Sequence, residues 1–166
     1  MFRSSARHAL CALAAGGGIA LMSATLPAAP ALADSTSACP APGAGSVTDT
    51  SADSACSAAS AGGSAAAAYG INGTATANAG PTSLSLAIAQ GGGVARSTSA
   101  PMSGPAAIAV GPGAHADLTG VRPGLALGIA GPGATVSVSG VGRPVCTGGP
   151  GFAGDFQTLQ GCLSMP

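Results

Sequence analysis

The chain has 166 residues, of which only five are Lys or Arg and five are Asp or Glu. Charged residues make up 6% of the sequence, against about 25% in an ordinary globular domain, which excludes a basic surface for nucleic acid. With no Trp, three Phe and 28 Gly, a core of large side chains is excluded as well. We expect one modest domain with a thin core of Ala, Val, Ile and Leu.

Residues 1–33 have the features of a secretory signal peptide. Arg3 and Arg7 form a positive n-region, residues 9–26 carry no charge, and small residues at 31–33 provide a cleavage site after Ala33. An uncleaved anchor helix is the alternative, although two prolines interrupt the apolar run before that site. We expect cleavage and a secreted or envelope-associated product without a membrane span.

Four cysteines follow the signal peptide, the even number typical of two disulfides in an exported chain. Pairing Cys39 with Cys56 and Cys146 with Cys162 closes two loops of similar length, but three pairings are open to four cysteines. Zinc is the rival interpretation, yet the chain has no C-x-x-C pair, and the one histidine after the signal peptide, His115, is remote from the cysteines in sequence. The Ser/Ala/Gly-rich stretch 34–66 is either a disulfide-closed cap or a flexible linker.

Residues 67–146 contain an internal repeat of twenty residues, marked by Gly73, Gly93, Gly113 and Gly133. Each unit has an alternating apolar run, a Gly-rich turn, a second alternating run and a corner containing Gly or Pro. Alternation with period two is typical of β-strands, and two strands with two corners form one coil of a β-solenoid. We predict an all-β fold, a short parallel β-solenoid (β-roll) of about four such coils with disulfide-closed ends.

A disordered Gly/Ala/Ser polymer is the alternative to this fold. Gly and Pro number 28 and 13, together 41 of 166 residues, close to the share found in low-complexity chains. Disorder, however, gives no reason for a repeat that stays in phase with the apolar alternation. The repeat therefore favours the solenoid.

Residues 147–166 are predicted to cap the last coil. Phe152 and Phe156, the only phenylalanines after the signal peptide, gather here with Leu159 and Leu163. Asp155 is placed to N-cap a short helix ending at Gly161. Such a helix would turn Phe156 and Leu159 towards the solenoid.

His115 and Asp117 are the strongest candidates for a catalytic pair, since residues two apart on a strand share one face. The repeat aligns His115 with Ala95 and Asp117 with Ser97, positions of small or polar residues. This alignment favours a decoration of the surface, and the chain has no G-x-S-x-G nucleophile motif.

Calcium, phosphate and cofactor sites are not indicated either. The segment 148–153 has the glycines of a calcium-binding repeat but carries Ala153 where the aspartate belongs. A Walker loop and a dinucleotide fingerprint are absent. We expect no catalytic residue, cofactor or metal, and the partner remains unknown.

The motif Ala107-Ile108-Ala109-Val110-Gly111, with Ala114 and Ala116, resembles the head repeats of trimeric autotransporter adhesins, as does Ile129-Ala130-Gly131 with Ala134. The resemblance implies a parallel β-roll. Those heads have shorter units, a coiled-coil stalk and a membrane-anchor barrel, so the adhesin function is not implied. The whole chain is similar to the small exported Ala/Gly-rich proteins of actinobacteria, a family of unknown function, which implies a location but no activity.

These observations point to a secreted non-enzymatic structural or interaction protein of the cell envelope or extracellular space. The first alternative is a binding module that docks a glycan, lipid or protein on one sheet face. A hydrolase using His115 and Asp117 is a distant third. An exposed apolar or aromatic stripe on one face would favour binding.

Overall fold

The structure is a computed structural model that describes residues 35–166. The predicted signal peptide, residues 1–33, lies outside the described residues. Residues 35–166 contain fourteen strands and no helix, so this part of the chain has no helix that could span a membrane. The strands are β1 (Thr36–Pro42), β2 (Gly45–Ser51), β3 (Ser54–Ser60), β4 (Ala65–Ile71), β5 (Thr74–Ala79), β6 (Leu84–Gln90), β7 (Val94–Ser99), β8 (Ser103–Val110), β9 (His115–Gly120), β10 (Gly124–Ala130), β11 (Ala134–Val138), β12 (Val145–Gly148), β13 (Gly151–Asp155) and β14 (Gln160–Ser164).

The strands form two seven-stranded sheets between which the chain alternates. Sheet A has the order β1-β4-β6-β8-β10-β13-β14, and sheet B has the order β12-β11-β9-β7-β5-β3-β2. Pairing is parallel from β4 to β10 and from β3 to β11, and antiparallel at both ends of each sheet. The predicted all-β parallel solenoid of about four coils is confirmed.

The coils are not all twenty residues long. Along sheet B, Ala55 pairs with Thr74, Thr74 with Val94, and Val94 with His115, so successive coils take 19, 20 and 21 residues in turn. The longest coil has four residues, 111–114, at a corner where the preceding coil has three, 91–93. The glycine spacing therefore measures the coil only on average.

The core consists mainly of alanine ladders. In sheet A, Ala68, Ala87 and Ala107 lie in register on adjacent strands with no exposed surface, and the opposite sheet contributes a similar ladder through Ala75 and Ala95. Ala side chains hold the two sheets close together, because each ladder adds only one methyl group per coil. The expected core of Ala, Val, Ile and Leu is thus wrong for most coils.

Larger core side chains appear only near the last coils. Leu118, Val136 and Val138 are fully buried in sheet B. Opposite them sheet A has Gly128, where a Cβ atom would lie 2.5 Å from Cδ1 of Leu118. Glycine here makes room for the leucine, so the local volume of the core is conserved.

Serine hydroxyls close one corner of successive coils. Ser64, Ser83 and Ser103 donate to carbonyl oxygens three residues earlier, over 2.5, 2.7 and 2.8 Å. All three serines are buried, and no buried side-chain nitrogen or oxygen within residues 35–166 lacks a partner. These hydroxyls fasten the corner: the carbonyls of Ala61 and Ala100 also accept hydrogen bonds from the backbone amides of Ser64 and Ser103.

Antiparallel hairpins cover both ends, and the predicted C-terminal helix is wrong. Residues 151–155 form β13, which pairs with β10, the last parallel strand of sheet A, and turns back as β14. Asp155 caps the hairpin turn instead: its carboxylate accepts from the Gln157 amide and the Thr158 hydroxyl, both over 2.9 Å. An extended strand satisfies the backbone groups of β10, which a helix would leave unpaired.

Candidate binding surface

The predicted disulfide cysteines lie at the two ends of the solenoid. Cys39 is bonded to Cys56, joining β1 to β3, and Cys146 is bonded to Cys162, joining β12 to β14. Each bridge links sheet A to sheet B and fastens an antiparallel end strand. Two disulfides indicate an oxidising compartment outside the cytosol.

His115 and Asp117 lie side by side on the outward side of β9, and both are exposed. Neither side chain forms a hydrogen bond or ion pair with another described residue. Catalytic residues are held by partners that orient them, and this pair has none among residues 35–166.

The register of His115 differs from the expected one. His115 pairs with Val94, and Asp117 pairs with Arg96, whereas the repeat predicted Ala95 and Ser97 as their counterparts. The extra residue at the preceding corner causes the difference. Since a slip of one residue exchanges the two faces of a strand, the expected register would have matched His115 to the buried position of Ala95.

Metal-binding groups do not cluster in the described chain. Within residues 35–166, no three His, Cys, Asp or Glu side chains come together.

The surface that stands out is the outward side of sheet A, which we call the apolar face. It carries large aliphatic and aromatic side chains on adjacent strands, none of them charged in the described part of the chain. Leu84 and Leu125 are 60% and 61% exposed, and Phe152 is 41% exposed. The principal members of the apolar face are Pro40, Pro42, Ala65, Ala67, Tyr69, Leu84, Leu86, Ile88, Ala106, Ile108, Val110, Leu125, Leu127, Ile129, Phe152 and Leu163.

One continuous ladder crosses the apolar face, and we call it the isoleucine row. Strand pairing places side chains of one level on six adjacent strands, in the order Tyr69, Ile88, Ile108, Ile129, Phe152 and Leu163. With neighbouring strands about 4.8 Å apart, the row is about 24 Å long. Such cross-strand ladders pack against one another, which gives the face a fixed apolar ridge.

Beside this ridge lies a broad shallow depression of about 430 Å³. Its floor is formed by small residues such as Ala67 and Ala106, and its sides by Pro40 and Leu86. The volume is within the range of small-molecule sites, but the depression is open along the sheet.

The outward side of sheet B, which we call the polar face, is different in character. Its central positions are occupied by Thr, Asn, Arg, His, Asp and Ser, with Val94 as an aliphatic exception. Arg96 and Asp117 are neighbours on it, and both are exposed. The principal members of the polar face are Thr74, Thr76, Asn78, Val94, Arg96, Thr98, His115, Asp117, Thr119, Thr135 and Ser137.

The sequence reasoning missed the apolar face because it assigned the larger residues of each strand to the core. In β6, "LSLAIAQ", the leucines and Ile88 point outward while Ser85, Ala87 and Ala89 are buried. The serine at the corner before β6 indicates which side of the strand faces inward. Ser83 is two positions before Ser85 and closes the coil from inside, so the small-residue phase is the inward one.

Comparisons with known proteins add one assignment. No curated protein and no solved structure matches the chain. A family model, described as a family of unknown function (DUF6764), matches residues 2–165. This match covers nearly the whole sequence, and the chain therefore belongs to the DUF6764 family of unknown function.

Proposed function

We propose that the protein is an exported, non-enzymatic interaction module that binds an apolar partner surface through its apolar face. The observation that supports this proposal is the uncharged row of exposed and partly exposed aliphatic and aromatic side chains on sheet A. Monomeric proteins rarely expose a contiguous apolar patch larger than a few hundred Å². Parallel sheets, moreover, are usually covered on both faces.

The fold does not need these outward side chains to close its core. Alanine ladders fill the space between the sheets, and the isoleucine row lies on the far side of the backbone from them. Hydrophobic burial contributes about 25 cal/mol per Å² when a partner covers such a surface. Binding would therefore bury the apolar surface that cross-strand packing within the row leaves exposed.

Export to the envelope or the extracellular space is part of the proposal. The two disulfides support a location outside the cytosol, and the sequence features of residues 1–33 support cleavage. If export occurs as we propose, amino-terminal sequencing of the extracellular protein begins at Asp34. A product that retains Met1 inside the cell would contradict this part of the proposal.

A matched pair of variants tests the binding face. Ile108→Arg introduces a charge on the apolar face, and Thr98→Arg introduces the same charge on the polar face. The disulfide-intact protein is applied to an octyl-agarose column at nanomolar concentration, where association between copies is minimal. We expect Ile108→Arg to lower retention several-fold and Thr98→Arg to leave it near wild type.

Far-UV circular dichroism and a thermal melt confirm that both variants keep the β fold. Equal retention of the two variants would show that the apolar face does not bind, and would overturn the proposed function.

A further inference from the structure

We propose that the partner of the apolar face is a second copy of this chain, packed face to face across a two-fold axis that runs near the strand direction between β6 and β8. This inference rests on the proposed function, since it names the occupant of the same face. Three features of the face support this inference: the alternation of large and small side chains, the area of the face and its lack of charge.

In the row of outward side chains next to the isoleucine row, large and small residues alternate from strand to strand. Register pairs place Pro40, Ala67, Leu86, Ala106, Leu127 and Gly154 side by side across six strands. We call this level the leucine row. The row is high at β1, β6 and β10 and low at β4 and β8, so the ridges on β6 and β10 are about 10 Å apart with a trough between them. On β13 the rings of Phe152 and Phe156 lie near the outward side of Gly154.

A two-fold axis between β6 and β8 places both leucine ridges of this row opposite alanine troughs. Leu86 would face Ala106 of the partner subunit, and Leu127 would face Ala67 of the partner subunit. A two-fold interface must be complementary to itself. Rotation about this axis brings β6 opposite β8 of the partner subunit and β10 opposite β4 of the partner subunit, so each large side chain meets a small one.

The isoleucine row is compatible with the same axis. Ile88 would face Ile108 of the partner subunit, and Phe152 would face Ala38 of the partner subunit. Sheets that pack face to face lie about 10 Å apart with facing aliphatic side chains in contact. The next level is less regular, since Leu125 leans over Gly104, with Cδ2 2.8 Å from the position of a Cβ atom there. We therefore place the interdigitation at the leucine row.

The area of the face meets the requirement of a stable dimer. The axis overlaps six strands of each copy, from β1 to β13. Six strands about 4.8 Å apart, each about 20 Å long, cover roughly 600 Å² per copy, or roughly 1,200 Å² for the pair. Specific interfaces begin at about this total area. The described outward residues of sheet A include no Arg, Asp or His, so pairing would bury no charge.

Other occupants fit the surface less well. A glycan needs an array of hydrogen-bonding side chains, whereas the polar side chains of this face are few and lie at its margin, Gln90 on β6 among them. A ligand pocket encloses most of its ligand, whereas the depression is open along the sheet. A second copy supplies an apolar surface with the same spacing of ridges.

The oligomeric state in solution tests the inference. Size-exclusion chromatography with light scattering, on the disulfide-intact protein from 1 to about 100 µM, is expected to show a dimer that dissociates on dilution. Ile108→Arg should be monomeric throughout this range, and Thr98→Arg should dimerise like the wild type. Circular dichroism again confirms that each variant is folded.

Exchanging a large and a small side chain between β6 and β8 tests the position of the two-fold axis. Leu86→Ala leaves a void opposite Ala106 of the partner subunit, and Ala106→Leu sets two leucines against each other. Because each change occurs twice in a symmetric dimer, we expect each to raise the Kd at least about tenfold. Leu86→Ala combined with Ala106→Leu moves the ridge from β6 to β8 and should restore the dimer towards wild-type affinity.

The outcomes separate the dimer from the proposed function. A wild type that stays monomeric throughout the range overturns the dimer, and so does a double variant no better than the singles. In either case, octyl-agarose retention that still depends on Ile108 leaves the proposed function standing, with an apolar partner such as an acyl chain as the occupant. A monomeric wild type whose octyl-agarose retention does not depend on Ile108 would overturn both the dimer and the proposed function.

Discussion

The apolar face and the polar face are the two outer sides of one solenoid, and in the earlier coils the inward sides of the two sheets are alike. Inward, both sheets stack Ala and Ser at the same levels, for example Ala87 opposite the strand that carries Ala95 and Ser97. Outward, sheet A carries the isoleucine row while sheet B carries Thr, Arg, His and Asp. Inward side chains determine how the coils close, whereas outward ones do not. The difference between the faces therefore reflects what each face meets.

Removal of the disulfides is the largest change we expect, and it should affect both faces together. Replacing Cys39 and Cys56 by Ser, or Cys146 and Cys162 by Ser, frees loops with sequence separations of 17 and 16. The loop-entropy estimate is about 3 kcal/mol for each bridge. Urea unfolding followed by circular dichroism measures this loss. A loss below about 1 kcal/mol would show that the hairpins hold the ends without the bridges.

Substitutions at two adjacent residues of β6 test which side of the strand faces the core. Ala87 is fully buried, so Ala87→Leu adds three carbons to a ladder that holds two sheets close together. Overpacking of this kind costs about 1–3 kcal/mol and occasionally more. Ile88→Leu, one position further on the apolar face, should cost less than about 1 kcal/mol. Similar unfolding midpoints for the two variants would contradict the assignment of the alanines to the core.

Moving apolar character to the polar face should create a second adhesive surface. Thr98 and Thr119 are register neighbours on β7 and β9, and Thr98→Ile with Thr119→Ile copies part of the isoleucine row there. We expect stronger retention on octyl-agarose and little change in the melting temperature, because the isoleucines remain outside the core. Thr98→Ser with Thr119→Ser is the matched control. Unchanged retention of the isoleucine variant would show that aliphatic content alone does not make the face bind.

The smallest effect is expected at His115 and Asp117. Both are exposed on the polar face and unpartnered within residues 35–166, so His115→Ala and Asp117→Ala should leave the melting temperature and the octyl-agarose retention unchanged. Neither variant should alter any hydrolysis of ester or peptide substrates measured for the wild type. Complete loss of such a hydrolysis in His115→Ala would contradict the proposal of a non-enzymatic protein.

The coarse fold could be predicted because a parallel solenoid repeats its local chemistry. The spacing of Gly73 and Gly93 matches the true register, since Thr74 pairs with Val94. The same spacing fails one coil later, where Val94 pairs with His115. A single residue added to a corner does not disturb the glycine spacing, yet it shifts the pairing of the next strand. The number of residues in a corner depends on how the backbone turns from one sheet to the other, and the spacing of glycines does not report that number.

The C-terminal segment shows a second limit of sequence reasoning. Asp155 does cap a turn, as its residue type suggests, and it does so through the backbone amide of Gln157. A capping aspartate serves a helix and a hairpin turn equally well. The choice depends on the open edge of β10, which recruits β13 as a strand. Leu159, predicted to pack on the last coil, is instead 88% exposed.

The sequence by itself determined the period, the all-β character and the position of the cysteines at the two ends. These properties are local, because they depend on alternation, turn residues and spacing. The tertiary structure decided which phase of the alternation faces inward, and hence the existence of the apolar face. Alternation defines two sides of a strand without distinguishing them. Only the closeness of the two sheets, which leaves room for Ala87 but not for Ile88, turns the isoleucine row outward.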